Sequence, residues 1–104
     1  MTQEEIKKIV EDMEFNLSTA KEELIKVIDK FNWHETGCPF LSKKIDVMEE
    51  FISTMEECCL IYGWNKERYN NDSTMLLDLK KRSDFARENF SKQVISIYNN
   101  HHIK

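Results

Sequence analysis

The residues with the clearest capacity for chemistry are His34, Cys38, His101 and His102, a set of nitrogen and sulfur donors suited to zinc. His34 and Cys38 share one short connection. The two tail histidines can reach it if the chain runs up, down and up. Cys38 would be the lone thiolate, and no paired Cys/His pattern supports it, so a loop beside a frayed tail is the plainer expectation. Cys58 and Cys59 lie some 20 residues from Cys38, about 30 Å along a helix, so the three cysteines cannot share one metal. Cys59 is expected on a core-facing seam with Cys58 beside it. Both act there as small buried hydrophobes. An activated thiol needs a nearby base or cation, and no histidine falls at that end.

Acid pairs recur at Glu4-Glu5, Glu22-Glu23, Glu49-Glu50 and Glu56-Glu57. A di-metal centre in a helical bundle needs Glu-x-x-His on two helices, and that motif is absent. The acids are expected to form a solvated face. The only glycines are Gly37 and Gly63, so there is no glycine-rich phosphate loop, and no Ser/His/Asp combination suggests a triad. Catalysis is therefore not expected, nor is a cofactor. A metal-dependent hydrolase is kept as a remote alternative.

Helices must position whatever these residues do. With 33% charged residues, 2 Gly and 1 Pro in 104 residues, the chain has few breakers and many helix formers. Its length fits one domain over 1–104. The central stretch, Pro39 to Tyr62, places Leu41, Ile45, Met48, Ile52, Met55, Cys59 and Tyr62 at alternating steps of four and three. Residues 3–31 repeat the pattern with Ile6, Val10, Met13, Leu17, Ala20, Leu24, Val27 and Phe31. Thr2 and Glu5 form a capping box at their start. Residues 73–99 carry Leu76, Leu79, Ser83, Ala86, Phe90, Gln93 and Ile97, with Met75 and Val94 flanking. Asp72 or Ser73 is the expected cap, Gly63 the expected C-cap of the second helix, and Trp64 to Asn71 a polar connection. The expected fold is all-α: an antiparallel up-down-up three-helix bundle with coiled-coil-like heptad seams over about 3–31, 39–62 and 73–99. Near its waist, Ala20, Ser83 and Ala86 face Met48, Phe51 and Met55.

Charge is segregated. Residues 1–64 hold 7 Lys/Arg against 14 Asp/Glu, a balance of −7; residues 65–104 hold 8 against 5, or +3; the total is −4. The basic third helix is expected to lie beside two acidic ones. A nucleic-acid face at Lys80, Lys81, Arg82 and Arg87 is disfavoured because the whole chain is acidic. No apolar run suffices to span a bilayer, the charged N-terminus does not resemble a secretory leader, and the odd cysteine count suits a reducing cytosol.

Function is expected at the surface. Phe15, Ile25, Val47, Leu60, Leu77, Phe85 and Ile95 fall off the seams, and Trp33, Trp64 and Tyr69 sit in the connections. That is a surplus of apolar surface for a lone monomer. The primary expectation is a small cytosolic helical protein that binds a macromolecular partner, another protein, as regulator, adaptor or inhibitor. Inhibitors from mobile genetic elements share this size and class. Phe15, Val47, Leu60, Trp64, Tyr69, Leu77 and Phe85 are the candidate contacts, and self-association is a second use for them. The alternative is an oligomeric nucleotide-like ligand binder, with Trp33 stacking on a base and Lys80, Lys81 or Arg82 meeting a phosphate.

Overall fold

The computed structural model describes residues 1–31 and 39–100. They form four α-helices: α1 (Gln3–Phe31), α2 (Pro39–Trp64), α3 (Lys66–Asn70) and α4 (Ser73–Asn100). The chain is all-α, with no strand among the described residues. The helices lie along an elongated body of 52 × 19 × 17 Å.

Local chemistry sets the helix starts. The Glu5 N–H donates to Thr2 Oγ1 at 3.1 Å, and the Thr2 N–H donates to Glu5 Oε1 at 3.3 Å. This capping box satisfies two donors that the first turn of a helix cannot pair internally. The bond from the Thr2 backbone holds the Glu5 carboxyl below the usual glutamate range. At α4, the Met75 N–H donates to Asp72 Oδ1 at 3.1 Å, which makes Asp72 the cap.

The second connection differs from expectation. Gly63 does not end α2; it lies inside the last turn, where nothing beyond its chain neighbours and the helix's own backbone stands within 4 Å of the place a Cβ would take. The polar stretch after Trp64 folds into α3 instead of staying irregular. Five residues cannot sustain a helix alone. Tertiary contacts hold it: Tyr69 packs on the core and on the Tyr62 ring at 6.3 Å, and the Tyr62 hydroxyl donates to Asn70 Oδ1 at 2.8 Å.

Burial follows most of the apolar spacing, but the seam residues Ile6, Leu17, Leu24 and Ile52 are only partly buried, and at three positions a chain neighbour is more buried than the expected seam residue. One apolar cluster joins Ala20, Val27 and Phe31 of α1, Leu41, Ile45, Met48 and Met55 of α2, and Ala86, Phe90, Val94 and Ile97 of α4. A second joins Ile9 and Met13, Cys58 and Tyr62, and Leu76 and Leu79. Each fully buried large side chain here contributes about 1.5–3 kcal/mol of transfer free energy. In α4, Val94 is buried where Gln93 was expected. A straight helix drifts about 20° per heptad from a strict seven-residue repeat, enough to bring the next residue inward. In α1, Ile9 is buried and Val10 only partly; in α2, Cys58 is fully buried and Cys59 only partly. Val10 and Cys59 both border an open groove between α1 and α2, and that groove leaves them in contact with solvent.

Between the clusters and alongside the first, the α1–α4 contact carries polar bonds. Asn16 Nδ2 donates to Ser83 Oγ at 3.2 Å and to Asp84 Oδ1 at 2.9 Å, and Lys80 Nζ donates to Asp84 Oδ2 at 2.6 Å. Arg87 donates to Glu23 Oε2 at 3.0 Å, Thr19 Oγ1 at 3.3 Å and Ser91 Oγ at 2.6 Å. Ser83 is completely buried, so the bond from Asn16 meets a need that water cannot.

Candidate partner-binding surface

The expected surface residues divide by position on their helices. Phe15 is 67% exposed, Phe85 66% and Trp64 75%, while Leu60 and Leu77 are exposed to a lesser degree. Ile25 and Ile95 are exposed as well. Val47 and Tyr69 are half-buried, and Tyr69 packs against the core. For Tyr69 the reason is the docking of α3, which turns its ring toward Tyr62.

These side chains do not converge on one spot. The feature that could organise some of them is the groove between α1 and α2. One stretch, of about 590 Å³, is lined by Glu11, Glu14, Phe15, Leu17, Lys21 and Cys59. It continues past Val10, Met13 and Tyr62 into a stretch of about 620 Å³ bordered by Met1, Ile6, Lys7, Val10, Tyr62, Lys66 and Asn70. Leu60 and Trp64 do not line this groove: Leu60 points about 100° away from its chain neighbour Cys59, and Trp64 borders a separate depression with Lys66, Glu67, Arg68 and Asn71. The groove is an apolar floor between charged rims. Lys7 pairs with Glu11 at 3.9 Å and Lys21 with Glu56 at 3.3 Å, both exposed pairs worth little in stability. Sequence reasoning missed Glu11, Glu14 and Lys66 as rim residues. Their spacing shows that Glu11 and Glu14 share a helix face, but which face stays uncovered depends on the neighbours.

The thiols do not look activated. Burial pushes both the Cys58 and Cys59 thiols above the ordinary cysteine range. Arg82 opposes this at Cys58 and Lys21 at Cys59, and in neither case does the cation prevail. Both cysteines are unpaired by disulfide.

The alternative ligand residues are mostly engaged elsewhere. Lys80 is held by Asp84, and Arg82 donates to Glu57 Oε2 at 3.2 Å; Lys81 is exposed on the outer side of α4. Trp33 lies outside the described residues. So do all four candidate zinc ligands, His34, Cys38, His101 and His102. Among the described residues, no group of three or more His, Cys, Asp or Glu is arranged to hold a metal ion. No helix among them is long and apolar enough to cross a membrane.

Compared with known proteins, the chain matches no family model, no curated protein and no solved structure.

Proposed function

We propose that the protein acts by binding another protein, as a cytosolic regulator, adaptor or inhibitor without catalytic activity. The contact lies along the α1–α2 groove with Phe15 at its edge, and extends to the exposed side chains of Leu60 and Trp64 on α2. The observation that carries this reading is Phe15. A phenylalanine two-thirds in water, at the edge of a groove floored by Leu17 and Cys59, exposes apolar area that a partner would bury. The architecture that presents it is an antiparallel up-down-up bundle of α1, α2 and α4 with heptad-like seams. Support comes from the pairing of residues: Asn16 with Ser83, Glu23 with Arg87 and Phe31 with Tyr98 advance together along α1 and α4. Lys21 of α1 meets Glu56 of α2, whose chain returns between them.

The test is affinity capture from the native host with wild-type protein and the Phe15→Ser/Trp64→Ser variant. The wild type retains a stoichiometric protein that the variant loses, while circular dichroism shows equal helicity. Capture that is indifferent to both substitutions overturns the reading. So does a variant that loses its helicity, since Phe15 would then belong to the core.

The nucleotide-like alternative has less behind it, because Asp84 and Glu57 already occupy two of its three cations.

A further inference from the structure

The outer face of α4 has a pattern that the partner reading does not use. The buried positions of α4 are Leu76, Leu79, Ser83, Ala86, Phe90, Val94 and Ile97. At 100° per residue, Lys81, Phe85, Glu88, Lys92, Ile95 and Asn99 all fall within about 40° of the opposite direction. They form one stripe about 27 Å long at 1.5 Å per residue. Phe85 is 66% and Ile95 58% exposed, and the Glu88 and Lys92 side chains are 68% and 64% exposed. The stripe holds two large apolar groups separated by an acid and a base.

We propose that this face pairs with the same face of a second copy, antiparallel, about a two-fold axis passing behind Phe90. The register follows from the sequence. Phe85 and Ile95 are equidistant from position 90, and so are Glu88 and Lys92, and Lys81 and Asn99. An antiparallel pairing centred there therefore sets Phe85 on the second copy's Ile95 and Glu88 on its Lys92, twice each by symmetry. A parallel pairing about the same helix would stack Glu88 on Glu88 and Lys92 on Lys92, placing like charges opposite each other. Within one chain Glu88 and Lys92 pair loosely at 3.8 Å with both side chains about two-thirds exposed, so exchange for the pair across the axis gives up little. One helix face against another is a small interface, so the dimer is a weak one that forms with rising concentration.

The pairing is independent of the groove between α1 and α2: neither Phe15 nor Trp64 takes part, so either proposal can fail alone. Sedimentation equilibrium over micromolar to millimolar concentrations tests it, with circular dichroism to confirm folding. The wild type dimerises. Lys92→Glu and Glu88→Lys each weaken dimerisation about tenfold or more, since each turns two attractions into two repulsions. The double exchange Glu88→Lys/Lys92→Glu restores it to within about threefold of wild type. A protein that stays monomeric throughout, a dimer indifferent to the single charge reversals, or a double exchange that fails to rescue each overturns the proposal.

Discussion

Helix α4 meets its two long neighbours by different means. Toward α2 it shares an apolar core, in which Phe90, Val94 and Ile97 join Leu41, Ile45, Met48 and Met55, with the Arg82–Glu57 pair at the surface. Toward α1 it adds a run of directed bonds: Asn16 to Ser83 and Asp84, and Arg87 to Glu23 and Thr19. Apolar burial supplies most of the free energy but tolerates sliding, because it has no direction. A buried hydroxyl or a guanidinium accepts only the geometry that satisfies it, so a shift by one turn would strand Ser83 and Arg87 without their partners. The difference suggests a division of labour in which α2 stabilises α4 and α1 fixes its register.

Three substitutions can break or sharpen that contrast. The largest effect is expected from Phe90→Ala, which empties a fully buried site in the shared core. It should cost about 3–5 kcal/mol in urea unfolding. A loss below about 1 kcal/mol would mean that the apolar side is not the stabilising one. Next comes Arg87→Ala, expected to cost about 1–2 kcal/mol, because it removes the charge-assisted bond to Glu23 in a half-buried setting. A double-mutant cycle with Glu23→Ala should show that the two losses overlap; simple additivity would deny the link. The smallest is Arg82→Ala. It removes an exposed pair on the α2 side and should change stability by no more than about 0.5 kcal/mol. A loss equal to that of Arg87→Ala would erase the distinction between the two interfaces.

The same contrast bears on what the sequence could reveal. Apolar spacing marked Leu41, Ile45, Met48, Met55 and Tyr62 as inward-facing, and all are buried. It placed Cys59 and Val10 on the seams, whereas Cys58 and Ile9 are the buried members of the two pairs. Both members of each pair lie near the seam, and the choice depends on where the groove beside α1 stays open. Ser83 looked like a weak place in the third seam. Its fully buried hydroxyl accepts a bond from Asn16, which lies 67 positions earlier in the chain. The exposed residues were legible in part. Phe15 and Phe85 could be placed outward from periodicity alone, whereas Tyr69 was turned inward by a five-residue helix that has no sequence signal strong enough to announce it.

By itself, then, the sequence determined that the chain is helical, where α1 and α4 begin, and most of which side of each helix is apolar. Those properties arise from neighbours within a turn or two: Thr2 with Glu5, Asp72 with Met75, and apolar residues three and four apart. Only the tertiary structure decided the polar register between α1 and α4, the folding of α3, and the opening of the groove along Val10, Leu17 and Cys59. These depend on side chains brought together from distant parts of the chain, and no local rule specifies which of them will meet.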